Sequence, residues 1–418
     1  MRIAVVGAGI SGMTCAHLLA QKHDVTLIEA NDYIGGHTAT RDVEVDGKHY
    51  AVDTGFIVFN DRTYPCFNKL LDKIGIKSQV TEMSFSVVNP ELGLEYNGHN
   101  LDTLFAQRRN ILRPSFYQFI AEILRFNKMA KQQVTADPSY RLGDFLDDHY
   151  FSRMFEENYL LPMGAAIWSS TLEDIRHFPM CFFARFFVNH GLLDVGNRPQ
   201  WYVIPGGSRK YIEPLLAPIP GENVRCNTRI TEVQRQDQQV TLNAEDGWQW
   251  QGEAVIFACH SDQALAILGA EASEQERKVL SAMQYRENEV VLHRDESLLP
   301  TRRKARASWN YRLPPTAIRS EQLASVTYDM NRLQGLRDAP QFCVTLNPME
   351  PIDDAQVIER FSYSHPLFNL ASHRAQALRP SISGHNQTWF CGAYWHNGFH
   401  EDGVRSAVEV CQDFGCAL

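Results

Sequence analysis

The sequence predicts an α/β fold, and three observations carry that prediction. The chain opens on an apolar run, a glycine-rich turn, a helical stretch and a second apolar run, which is a βαβ half-unit. Its middle holds successive strand-like stretches, "VRCNTRITEVQRQ", "QQVTLNAEDG" and "EAVIFACHSDQAL". It closes on "TWFCGAYWHNGFHEDGVRSAVEVCQDF", which reads as a strand, a glycine turn and a helix from about Asp402. At 418 residues the chain is long enough for two or three units with cores of their own.

The first element, Ile3-Ala4-Val5-Val6, suits a buried parallel strand because no polar residue interrupts it. Ser11 to Gln21 follows as a helix, with Met13, Ala16, Leu18, Leu19 and Ala20 as its apolar positions. Val25 to Ile28 is the second strand, ending at Glu29 and Ala30. The turn between them carries Gly7, Gly9 and Gly12. Gly7 permits the tight turn, Gly9 lets backbone approach a pyrophosphate, and Gly12 allows helix and strand to pack closely. The N–H groups of Ile10 and Ser11 at the helix start offer an anion a partial positive charge. Glu29 is placed to accept hydrogen bonds from a ribose. The turn is therefore read as a Rossmann-type dinucleotide cradle.

Composition narrows the functional classes. The net charge is -9, whereas a general nucleic-acid binder needs surplus Lys and Arg to neutralise phosphates. Nine cysteines are scattered without a CxxC pair, which fits reduced thiols and neither a disulfide framework nor a zinc site. No metal centre is expected. The first strand begins at Arg2, so no secretory leader is expected and the location is read as cytoplasmic. The run Ile3–Gln21 is as long as a membrane span, but three glycines and several polar residues make strand, turn and helix the better explanation.

Beyond Glu29 come Gly35-Gly36-His37-Thr38, and from here the sequence resembles the FAD-dependent amine oxidase, phytoene desaturase and protoporphyrinogen oxidase superfamily. In that family the glycine pair lies beside the pyrophosphate and an Arg commonly follows. His37 stands in its place, so a direct charge contact to phosphate is not implied. Further along, Asp53-Thr54-Gly55-Phe56 and Pro205-Gly206-Gly207 resemble two other segments of the FAD portion. Ile230 is the best match to the residue that binds adenine through its backbone. At the C-terminal end, Gly392, Gly398, Phe399, His400 and Glu401 occupy the positions that close over the flavin. Ala393 stands where relatives often place an acid or Thr near the ribityl chain.

The resemblance implies a discontinuous FAD-binding domain at 1–75, 200–290 and 385–418, and an α+β substrate domain at 76–199 and 291–384. No Cys stands in the attachment context of the amine oxidases, so it implies non-covalent FAD. No second GxGxxG follows a strand, which speaks against a dedicated NADPH site. No general base is identifiable. Phe399, Tyr394 and Trp395 are the flavin-facing candidates. The stripe Phe178, Phe182, Phe183, Phe186 and Phe187 has helical spacing and reads first as core. "PMGAAIWSS" (162–170) reads as helix packing or as backbone approaching a ligand, and Trp309, Tyr311 and Tyr328 as flavin-facing or simply alternating strand residues.

Residues 104–133 read as a basic amphipathic helix, with Arg108, Arg109, Arg113, Arg125, Lys128 and Lys131 against the single acid Glu122. A solvated basic face explains it most simply; peripheral contact with an anionic membrane is the alternative. The aromatic richness and missing amine-oxidase features point to an FAD-dependent oxidoreductase. It would take hydride from an activated C–H of an apolar or lipid substrate, with a fatty-acyl chain as the working example. A flavin-dependent fatty-acid double-bond isomerase, an amine oxidase and a non-catalytic flavin-binding protein are the alternatives. Oligomeric state is not legible.

Overall fold

The computed structural model describes residues 1–194, 196 and 198–418. A five-stranded, wholly parallel sheet runs Val224–Arg225, Asp24–Ile28, Arg2–Val6, Ala254–Phe257, Thr388–Phe390. Ile3 to Val6 and Ala254 to Phe257 are buried throughout, which is why both read as unbroken apolar runs. The third strand-like stretch of the middle therefore joins this sheet. The other two strands, Ile230–Gln236 and Gln239–Ala244, pair with Gln249–Gly252 in a separate antiparallel ribbon.

Every residue of the first helix, Ile10–Leu19, is buried. The helix His400–Asp413 covers it on one side and Ile212–Leu216 on another. Cys15 and Cys391 meet at 3.7 Å between sulfurs in that packing, and all nine cysteines are free thiols.

The second sheet has seven strands, ordered Val357–Pro366, Tyr285–His293, Cys343–Leu346, Ser325–Asp329, Trp309–Arg312, Phe85–Asn89, Leu94–Asn97. All neighbours are antiparallel except Trp309–Arg312 with Phe85–Asn89. The boundary read at residue 290 falls inside one of these strands. Helices Pro114–Ala130, Leu142–Asp148, Leu161–Trp168 and Met180–Asn189 pack beside this sheet around an aromatic core. Phe178, Phe182, Phe183, Phe186 and Phe187 all belong to that core, as the helical spacing predicts.

Residues 104–133 do not form one helix. A 3-10 turn at Arg108–Leu112 precedes the helix Pro114–Ala130, because Pro114 lacks the N–H needed to continue a helix and is at home in the first turn of a new one. Several of the cations are engaged within the protein. Arg108 pairs with Asp102, Arg109 donates to the Gly93 carbonyl, Lys131 bonds Asp194, and the Arg125 guanidinium lies 4.0 Å from the Phe151 ring centroid. Among the described residues, no helix is long and apolar enough to cross a membrane.

Candidate active site

A continuous cavity of about 1000 Å³ lies between the two sheets. The glycine turn, the glycine pair, the C-terminal turn and the aromatic helices all contribute to its wall.

One half is a phosphate cradle. Gly7 sits at φ +103°, reachable at little cost only by glycine, and its N–H donates to the Ile28 carbonyl at 2.8 Å. A Cβ added to Gly9 would meet no protein atom within 4 Å, so the cavity is open above it. Gly9 caps the helix Ile10–Leu19 without a side-chain hydrogen bond, leaving the first N–H groups of the helix for a ligand. Ile10 and Ser11 line the cavity there. Gly36 lies across from Gly9, with its own virtual Cβ 3.4 Å from the Gly9 Cα. Gly35 takes φ +134° and donates its N–H to the Ala8 carbonyl at 3.0 Å.

Glu29 ties this cradle together before any ligand arrives. Its carboxylate accepts the Ala8 N–H at 2.8 Å and the Asn31 N–H at 2.9 Å. A carboxylate has about four lone-pair sites, so capacity remains for ribose hydroxyls. Ala30 and Ile230 lie on the wall at the same end, and the Thr228 N–H bonds the Glu29 carbonyl at 2.9 Å.

Thr54, Gly55 and Phe56 also line the cavity. Thr54 bonds the Tyr363 hydroxyl at 3.0 Å, and Phe56 stacks on His400 with centroids 3.6 Å apart and planes 10° apart. His400 bonds the Tyr211 hydroxyl at 2.9 Å, and burial pushes its pKa down to about 3, so the ring is uncharged. His37 is uncharged as well: burial first, then the neighbouring His365, hold it well below the usual histidine range. Its Nε2 has no hydrogen-bond partner among the described residues. It offers a phosphate no positive charge.

Four of the expected site residues stand off the wall. Gly12 packs inward, where a Cβ would sit 1.8 Å from the Gly7 carbonyl oxygen. Thr38 lies behind the cradle, bonded to Tyr211 and to His400. Glu401 accepts the N–H groups of Cys66 and Phe67 at 3.0 and 2.8 Å and so caps the helix Pro65–Lys73. Trp395 faces the core beneath the parallel sheet, with Arg379 5.5 Å from its ring centroid. The 3-10 turn Ala393–Trp395 sends adjacent side chains in different directions, so Tyr394 lines the cavity and Trp395 does not.

The other half is mainly aromatic and aliphatic, with His190 and Arg198 also on its wall. Phe399 stacks on Phe186 at 5.3 Å and 27°, and Trp309 meets Tyr328 edge-on at 5.0 Å. Met163, Ile167 and Trp168 bring part of "PMGAAIWSS" onto the wall, while Gly164 packs against Ile175 and Phe183. Tyr311 is core. Gly392 and Gly398 shape the floor: Cβ atoms there would lie 2.3 Å from the Tyr394 ring and 2.9 Å from Phe368. Among the described residues, Glu29 is the only carboxylate on the wall, and no Lys lines it.

The open space above Gly9, the uncapped helix start and the spare lone pairs of Glu29 together fit the diphosphate and ribose of a dinucleotide. Gly7, Gly9, Glu29, Gly35 and Gly36 would hold them.

Residues 10–310 match the family of flavin containing amine oxidoreductases. Zeta-carotene desaturase of Synechocystis sp. is 41% identical over 81 residues, a stretch covering 19% of this chain and 16% of that protein. Two solved structures share the fold over nearly their whole length. Cyclohexylamine oxidase from Brevibacterium oxydans matches at TM-score 0.70 and 15% identity, covering 99% of each chain. A CLA-producing fatty acid isomerase from P. acnes matches at TM-score 0.68 and 16% identity, covering 99% of this chain and 98% of that one. The amine-oxidase-like two-domain architecture read from the sequence is thus the architecture of the molecule. The chain belongs to the flavin containing amine oxidoreductase family.

Proposed function

We propose that the protein binds FAD non-covalently and takes hydride from an activated C–H of an apolar substrate, with an unsaturated fatty-acyl chain as the best candidate. One observation carries the substrate class: among the described residues, the half of the cavity away from Glu29 is walled mainly by aromatic and aliphatic side chains and contains no carboxylate to pair with an ammonium group.

Bound FAD would supply the hydride acceptor. The residues of the chain do the rest. The glycine cradle and helix start fix the diphosphate, Glu29 the ribose, and the Phe399–Phe186 and Trp309–Tyr328 pairs exclude water and hold a chain by contact. Cys259, the only cysteine on the wall among the described residues, lies beside Gly7. Burial pushes its thiol up, so it stays protonated and unreactive. This supports a non-covalent cofactor. The substrate would arrive from a membrane surface at 104–133, where Ile111, Leu112 and Tyr117 are exposed near Arg113.

The test is anaerobic mixing of the yellow protein with oleate, linoleate, cyclohexylamine and putrescine. Lasting loss of flavin absorbance with an unsaturated fatty acid supports the proposal. A moved double bond with the flavin unchanged at the end would favour isomerisation, and bleaching by the amines alone would overturn it.

A further inference from the structure

The segment "FSYSHP" ends the long strand Val357–Pro366, and its His365 is on the cavity wall. Two polar groups reach the same ring nitrogen, Nδ1: the Ser169 hydroxyl at 2.9 Å and the Asn288 amide at 3.3 Å. Which proton His365 carries follows from a chain of bonds anchored on backbone. The Glu289 N–H can only donate, and it bonds the Asn347 side chain at 3.1 Å, so the atom it meets is the Asn347 Oδ1. The Asn347 Nδ2 then donates to the Asn288 Oδ1 at 2.8 Å. The Asn288 Nδ2 in turn donates to the Arg286 carbonyl at 3.0 Å, a second backbone anchor giving the same orientation. The Asn288 group facing His365 is thus a donor, Nδ1 must accept, and the ring proton sits on Nε2. Nδ1 has a single lone pair, which the Ser169 hydroxyl and the Asn288 amide share.

Nε2 makes no hydrogen bond with any described residue. Alternate residues of a strand share a face, and Tyr363 and His365 do so here. Their rings lie 5.0 and 5.3 Å from that of His37, the residue following the glycine pair, and Tyr363 bonds Thr54. Ser169 ends the helix that carries Trp168 into the aromatic half. His365 therefore stands where the cradle meets the aromatic compartment. Ser169 holds a left-handed backbone, φ +52° and ψ 43°, a conformation uncommon for a non-glycine residue.

We infer that the Asn347–Asn288 amide chain and Ser169 lock His365 in its Nε2–H tautomer, and that this N–H donates to the flavin. The inference rests on the reading that FAD occupies the cavity. Ser169, Asn288 and Asn347 are positioning residues. Burial keeps the imidazole uncharged, with its pKa down to about 4, so it acts as a dipolar donor. A fixed donor favours the reduced flavin, on which negative charge develops.

Two measurements on the FAD-loaded protein decide this. In ¹⁵N-histidine-labelled protein at pH 7, long-range ¹H–¹⁵N spectra should show His365 protonated at Nε2 alone, with that signal moving when dithionite reduces the flavin. In H365L the flavin midpoint potential should fall by about 30 mV or more, a tenfold change in the equilibrium of a two-electron couple, while H365Q, which keeps an N–H donor, should fall less. Protonation at Nδ1, a doubly protonated ring, a signal indifferent to flavin reduction, or a midpoint unchanged in H365L would overturn it. If the wild-type protein binds no FAD, the function proposed above fails at that earlier step, and its colourless solution shows so. If H365L itself fails to fold, the spectra of the wild-type protein still decide.

Discussion

A Cβ on Gly12 would lie 1.8 Å from the Gly7 carbonyl oxygen, whereas one on Gly9, three residues earlier, would touch nothing. The same motif thus contains one glycine required for the fold and another that leaves room for the ligand.

Gly12→Ala is expected to destabilise the FAD-free protein by about 2 kcal/mol or more, since backbone must shift to admit the methyl group. Gly9→Ala should leave its stability within ~1 kcal/mol, because φ -74° suits any residue. FAD binding should nevertheless weaken by roughly tenfold, about 1.4 kcal/mol. Urea unfolding without FAD and a fluorescence titration with it check both halves.

Acid should destabilise the protein already in the range where its buried histidines fail to protonate. His190, His293 and His365 have pKa values lowered to about 4 and His400 to about 3, burial being the largest cause in each. Between these values and about 6.5 the unfolded chain binds more protons than the folded one, so stability falls as pH is lowered through that window. The slope is about 1.4 kcal/mol per pH unit for each such histidine at full effect. Asp53, raised to about 6 mainly by burial, works in the opposite direction and offsets part of it. Urea midpoints measured from pH 7.5 to 5 should fall steadily, and a flat profile would refute the assignment.

Arg235 and Glu276 form an ion pair at 2.7 Å with side chains only 4% and 3% exposed. Arg235→Met leaves a buried carboxylate without its partner and is expected to cost about 3–5 kcal/mol. Neither residue lines the cavity, so FAD content of the folded fraction should be unchanged. Chemical denaturation together with the ratio of flavin to protein absorbance tests this.

Phe399→Ala removes the ring that stacks on Phe186. Oleate should bind roughly tenfold more weakly, as expected for loss of a large apolar contact of a few kcal/mol partly recovered by repacking. FAD affinity should change by less than about threefold, under ~0.7 kcal/mol. Equal losses for both ligands would contradict the division of the cavity into two halves.

Leu112 is 86% exposed beside Arg113. Leu112→Asp should reduce co-sedimentation with phosphatidylserine vesicles several-fold, because it replaces an inserting apolar group with a charge of the wrong sign. Equal pelleting of wild type and variant would refute membrane contact at this point.

The cradle is legible in sequence because its parts are consecutive: strand, Gly7, Gly9, helix and Glu29 lie within thirty residues, and local spacing alone places them. The C-terminal wall is half legible. "GAYWHNGF" marks the segment, but only the turn at Ala393–Trp395 decides that Tyr394 reaches the cavity and Trp395 does not. The network around His365 has no sequence signature, since Ser169, Asn288, Asn347 and His365 come from four separate segments brought together by strand register. At 104–133 the amphipathic pattern suits one continuous helix, but Pro114 breaks it, because proline lacks the N–H that would continue the preceding turn.

The packing of His400–Asp413 on Ile10–Leu19 also has a consequence for biosynthesis. The apolar helix Ile10–Leu19 leaves the ribosome well before the helix that covers it, His400–Asp413, has been made. Until residues 388–413 have been made, the nascent chain carries an unprotected hydrophobic face and lacks one strand of the parallel sheet, Thr388–Phe390. A chain stopped before residue 388 would not give a smaller cofactor-binding unit. It would give a sheet with an open edge and a helix without a partner, prone to association or degradation.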